Sequence, residues 1–154
     1  MSNDDTAAQV QRPASDWEAA FAERTASAFA NAFAEDVILE ASTLNIPVVG
    51  RENVARVMQA ASNIYESLVF TSHTKEGERQ YLEWTARAFN GVRLDGVTVI
   101  IRNENGAITR VAIHHRPLQG ALLFSQHLGE QLRRMIDPSH FFSAANLPAQ
   151  TCTR

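Results

Sequence analysis

Residues 80–117, QYLEWTARAFNGVRLDGVTVIIRNENGAITRVAIHHRP, decide the architecture. Three runs rich in β-branched and aromatic residues are cut by two turn signals, Asn90-Gly91 and Asn103-Glu104-Asn105-Gly106. Asn-Gly between strand-like runs marks a hairpin, because both residues tolerate positive φ. The stretch therefore reads as an antiparallel meander with strands over 80–89, 94–103 and 108–116, stopped by Pro117.

Working outward, residues 68–74 form one more strand, joined to the meander by a turn over 75–78 that contains Gly77. Before it, Gly50-Arg51-Glu52-Asn53 opens a helix whose apolar side is Val54, Val57, Met58, Ala61, Ile64 and Tyr65. Residues 42–49, with Asn45 and Pro47, read as a loop over the mouth of a cavity, and 37–41 as a short strand. Further upstream, Trp17, Phe21, Ala28, Phe29, Ala32 and Phe33 fall at helical spacing, which predicts one helix from a Ser15 or Asp16 cap to about residue 34. After Pro117 a helix over 118–135 carries Leu122, Leu123, Leu128 and Leu132, and Asp137-Pro138 ends it. The division is a loose polar arm over 1–15, one domain over 16–136 and an irregular tail over 137–154. Helices and a run of antiparallel strands make an α+β fold with the helices on one face of a curved sheet.

Composition narrows the functions. A chain of 154 residues with 45% hydrophobic and 20% charged residues is ordinary for one soluble globular domain. A formal net charge of -3 argues against a nucleic-acid partner, which would call for clustered Lys and Arg. The single cysteine, Cys152, excludes a disulfide or a cysteine metal site within one chain. No apolar run approaches bilayer length and the first residues lack a signal-peptide pattern, so the expectation is a cytoplasmic protein without a membrane partner. There is no phosphate loop, nucleophile elbow or nucleotide fingerprint, and no cofactor or metal is expected.

Several short signals in order resemble the NTF2-like superfamily, in its SnoaL-like and ketosteroid-isomerase-like branch. They are Glu35-Asp36-Val37, Pro47-Val48-Val49-Gly50-Arg51-Glu52-Asn53-Val54, Asp95-Gly96-Val97-Thr98-Val99-Ile100, Asn105-Gly106-Ala107-Ile108 and His115-Arg116-Pro117-Leu118. The resemblance spans about residues 17–132. It implies a cystatin-like cone, an apolar pocket at its open end, and often a dimer built on the outer face of the sheet. It implies no single activity, because the fold serves isomerases, cyclases and non-catalytic binders alike.

The machinery of ketosteroid isomerase is an aspartate base with a tyrosine and a neutral aspartic acid as oxyanion hole. Carried over by position, the base falls on Ala41, beside Glu40, the neutral acid on Thr98 and the tyrosine on Trp17. None of the three catalytic types is kept; Glu40 would serve only if the register moved by one. The same alignment puts His115 on the pocket wall, with Val111 and Ile113 on its face and His114 on the other. A histidine there is either a base near neutral pH or a core residue paired to backbone.

On strand 80–89, Tyr81, Glu83, Thr85 and Arg87 share one face and Leu82, Trp84, Ala86 and Ala88 the other. The resemblance favours the first set facing the cavity; the plain alternative fills the interior with Leu82 and Trp84. The candidate catalytic residues are thus Glu83 and His115, meeting in one pocket as a coupled pair. Trp17, Glu40, Tyr65, Tyr81, Thr98 and Ile113 are the candidate lining. The expected partner is a small apolar molecule, with a homodimer through the sheet. Two functions stay open: cofactor-independent proton transfer on a carbonyl compound, and non-catalytic binding.

Overall fold

A computed structural model describes residues 16–144. The chain starts with two short helices, α1 (Asp16–Glu23) and α2 (Ala26–Ala32), followed by strand β1 (Phe33–Ala41). Next come β2 (Val48–Val49) and α3 (Arg51–Ile64). The remainder is β3 (Ser67–Glu76), β4 (Arg79–Ala88), β5 (Val92–Arg102), β6 (Ile108–Arg116), α4 (Leu118–Gln131) and a 3-10 turn, Pro138–His140. The predicted meander is β4-β5-β6, within two residues at each strand end.

The six strands form one open sheet in the order β2-β1-β6-β5-β4-β3. Neighbours are antiparallel except β1 and β6, which run parallel. The fold is α+β: α3 packs on β1 and α2, and α4 on β5 and β6, so the helices cover one face. Into that face point Val37 and Leu39 of β1, Leu82, Trp84, Ala86 and Ala88 of β4, Leu94, Thr98 and Ile100 of β5, and Val111 and Ile113 of β6. Each set repeats every second residue, as the pleat requires.

Two expectations about the helices need correction. The predicted single N-terminal helix is broken at Arg24, whose φ is 58°. Thr25 then takes an extended backbone and its hydroxyl accepts from the Ala28 N–H at 3.2 Å, capping α2. A threonine that captures a backbone N–H starts a new helix and cannot continue the old one. The described part of the tail expected to be irregular, residues 137–144, also holds some order. Asp137 caps the 3-10 turn through Ser139 N–H, and Phe141 is buried against Gly129. The arm over 1–15 and Cys152 lie outside the described residues.

Candidate functional site

Between the helices and the inner sheet face lies a cavity walled by helices α1, α3 and α4 and by strands β1, β3, β4, β5 and β6. Strand alternation brings Leu39 and Ala41 of β1, Trp84 of β4, Thr98 of β5 and Ile113 and His115 of β6 to its floor. Trp17 and Phe21 come from α1, Val57, Met58 and Ala61 from α3, and Phe124 and Leu128 from α4. Tyr65 and the half-buried Leu68 and Phe70 stand beside them, with Thr43 and Leu44 from the β1–β2 loop. The space left free is about 20 Å³, room for roughly one water molecule.

Aromatic rings build most of the wall. Tyr65 lies 5.0 Å from Phe124 and 5.9 Å from Trp84, centroid to centroid. The His115 ring sits edge-on to Trp84 at 5.4 Å and 5.6 Å from Phe124. Trp84 is held twice over. Its Nε1 donates to Thr98 Oγ1 at 3.1 Å, both groups buried. Its indole rests on Gly96, where an added Cβ would run into Trp84 Cζ2 and the His114 carbonyl. A glycine at that cross-strand position is what lets the indole lie flat on β5.

The polar inventory is short. Among the eighteen lining residues there is no carboxylate, lysine or arginine. Among the described residues, two buried side-chain polar atoms have no hydrogen-bond partner: Trp17 Nε1 and His115 Nδ1. An indole N–H out of water without an acceptor costs about 1–3 kcal/mol, so each such group invites a ligand or a water. Burial holds the His115 imidazole neutral, its pKa driven down to about 4 by desolvation, with the Ile113 carbonyl pulling it partly back and His114 adding to the fall. The residue as a whole is only half-buried, while Nδ1 is out of contact with solvent. Burial likewise pushes the Tyr65 hydroxyl up, so it stays a neutral phenol.

The mouth loop is fastened by the C-terminal segment. Asn45 N–H donates to the His140 carbonyl at 2.8 Å and Asn45 Nδ2 to the Phe141 carbonyl at 3.2 Å. Ser125 Oγ donates to the Thr43 carbonyl at 2.6 Å and accepts from Phe142 N–H at 2.8 Å. Ser42 N–H bonds the Ile113 carbonyl and its hydroxyl takes the His115 N–H, which ties the loop to the end of β6.

Of the sequence candidates, Trp17, Tyr65, Thr98, Ile113 and His115 line the cavity. Tyr81, Glu83 and Glu40 do not. Glu83 is exposed and Tyr81 half-buried on the outer face of β4. Glu40 faces outward as well, paired with Arg110 at 2.7 Å. The reason is plain burial: turning Leu82, Trp84, Ala86 and Ala88 inward removes apolar surface from water, whereas the other face would bury Glu83 and Arg87. Nor do Glu83 and His115 meet. Strand β5 separates β4 from β6, and Glu83 shares its cross-strand row with Val97 and His114 on the outer side. Sequence reasoning also missed Phe21, Phe70 and Phe124. Each is an apolar residue whose spacing marks a core face but does not tell cavity wall from solid core.

Among the described residues no three His, Cys, Asp or Glu side chains gather as a metal site. Nor is any helix among them long and apolar enough to cross a membrane.

Residues 14–111 match the model of the SnoaL-like domain. No curated protein matches the sequence. Among solved structures, a steroid delta-isomerase from Pseudomonas aeruginosa superposes with a TM-score of 0.71 at 20% identity, over 77% of this chain and 87% of that one. A protein conserved in bacteria with a cystatin-like fold, from Silicibacter pomeroyi DSS-3, gives 0.70 at 22% identity, over 75% and 81%. A protein with a ketosteroid isomerase-like fold from Catenulispora acidiphila DSM 44928, in complex with trimethylamine, gives 0.58 at 17% identity, over 72% and 89%. At these identities the likeness concerns the fold, a cone of curved sheet and covering helices. With the family model spanning most of the chain, this protein belongs to the SnoaL-like family.

Proposed function

We propose that this protein binds a small, uncharged, largely apolar molecule in the cavity between its helices and its sheet. One observation carries the reading: an apolar, aromatic wall without a charged group, in which Trp17 Nε1 and His115 Nδ1 are buried and unpaired. An ion would lose its hydration there with no countercharge to replace it, while a neutral molecule with a hydrogen-bonding oxygen would satisfy a buried indole N–H.

Cofactor-independent proton transfer is the second reading, favoured by the neutral imidazole on the wall. Without Glu83 or Glu40 in the cavity, His115 would work alone, and a base with a pKa near 4 is a weak one at neutral pH. Binding therefore leads. A homodimer through the outer sheet face belongs to the same proposal, supported by Val97, Val99 and Ile101 standing together there, half-buried, with no described element over them.

Both tryptophans of the chain line the cavity, so their fluorescence reports its occupancy. Titration with toluene, acetophenone and benzoate separates apolar, neutral polar and anionic ligands of one size. Acetophenone should quench with the highest affinity and benzoate should not bind. Trp17→Phe should weaken acetophenone about three- to tenfold, the worth of one hydrogen bond, and leave toluene unchanged. Equal binding of benzoate, or no binding by any of the three, would overturn the reading.

A further inference from the structure

We propose that α1 is the door of the cavity, hinged at Arg24-Thr25 and latched at its other end by the Asp16–Arg102 ion pair. About 20 Å³ of free space admits no organic molecule, so a wall must move for one to enter. The idea rests on the ligand-binding reading for its purpose, though not for its test.

Three observations single out α1. Its eight residues carry two wall residues, Trp17 and Phe21, as a unit. Its C-terminal end is a joint: the Arg24 N–H closes α1 on the Ala20 carbonyl at 2.9 Å, φ turns positive, and the Thr25 cap begins α2. Rotation at these two residues leaves both helices intact, as in a hinge between rigid elements. At the far end Asp16 receives Arg102 through both of its oxygens, at 2.6 and 3.1 Å.

The latch has a built socket. Arg102 Nε donates to Gln80 Oε1 at 2.7 Å, and its guanidinium also donates to the Gly106 carbonyl at 2.9 Å. Gln80 is buried and its amide meets His73 Nε2 at 3.1 Å. Arg102 is therefore fixed on the sheet, and what it can release is Asp16, which is half exposed. The seam that would part is apolar and partly open to solvent: Phe21 stands 6.0 Å from Phe70 of β3, both half-buried. The pairing of β3 with β4 shifts register just past this seam, between Phe70 and Ser72.

Acrylamide, a small neutral quencher, tests the door on the full chain with no ligand, because it reaches indole only by contact. Asp16→Asn should raise the quenching rate constant about two- to fivefold, the worth of an exposed ion pair. Arg56→Gln, which breaks the Glu52–Arg56 pair away from α1, should leave it unchanged. For the wild type, raising salt from about 0.05 to 0.5 M should move quenching toward that of Asp16→Asn, since screening weakens an exposed pair. This salt arm decides the matter if the variant does not fold. Equal quenching in wild type and Asp16→Asn, an equal rise in Arg56→Gln, or a salt-independent wild type would overturn the door. For acetophenone, association and dissociation rates should rise together in Asp16→Asn with Kd unchanged. If acetophenone fails to bind either protein, the ligand reading falls while the quenching result stands.

Discussion

His115 shows how one side chain's surroundings become a property of the whole chain. In the unfolded state it takes up a proton near its ordinary value of 6.5, in the folded state only near 4, because burial among Trp84 and Phe124 disfavours the charge. Between these values the unfolded state binds more protons, so stability falls as pH falls through that window and this loss ends below it. The full loss is roughly 3 kcal/mol at 1.36 kcal/mol per unit. Chemical denaturation between pH 7.5 and 4 should show His115→Phe losing less than the wild type by that order. Parallel pH curves for the two proteins would place the imidazole in water. The position of His115 was legible from the family resemblance, which put it on the pocket wall, and from the period of two, which set Val111 and Ile113 on the same face. Its lack of a partner was not, since satisfying Nδ1 depends on what distant elements bring to the ring, here Trp84 of β4 and Phe124 of α4, which offer it no hydrogen bond.

At the scale of elements the sequence was most informative where residue periodicity and turn chemistry agreed. The meander, α3 and α4 follow from alternation, helical stripes and Gly or Pro punctuation. Strand β4 was harder, because both of its faces hold an aromatic residue. The composition of the two faces nonetheless favours the observed orientation: Leu82, Trp84, Ala86 and Ala88 carry no charge, whereas Glu83 and Arg87 share the other. The division of the N-terminal helix was hidden because Thr25 fits a helix by position and ends one by hydrogen bonding. On α2, Phe29 is fully buried, edge-on to Trp17 at 5.7 Å and to Phe21 at 5.1 Å. Phe29→Ala should cost about 3–5 kcal/mol in urea denaturation, the range for emptying a buried aromatic site. A loss below about 1 kcal/mol would mean that the cluster closes over the gap or was never packed.

For the whole molecule, fold and cavity are one fact: the cavity lies where the inner face of the sheet meets α1, α3 and α4, and the side chains of both nearly fill it. The outer face is different. Val97, Val99 and Ile101 with Ala112 make an apolar strip bordered by Glu83, Arg110 and Glu40. Leu82 and Trp84, which the orientation favoured by the resemblance would have put on this outer face, are turned inward. The proposed homodimer on this face should appear as twice the chain mass in light scattering at micromolar concentration, and Val99→Glu should return it to a monomer with unchanged far-ultraviolet circular dichroism. A monomer mass for the wild type would remove the dimer and leave the cavity untouched. Nitrogen-15 correlation spectra test the cavity itself most directly, since two tryptophans give two indole N–H signals and both lie on its wall. On addition of acetophenone, the free Trp17 Nε1–H should move strongly and the His115 ring signals with it. Trp84 Nε1–H, already bonded to Thr98, should move less. Shifts confined to outer-face amides such as those of Glu83 and Val97, with both indole signals unmoved, would contradict a ligand site inside the cone.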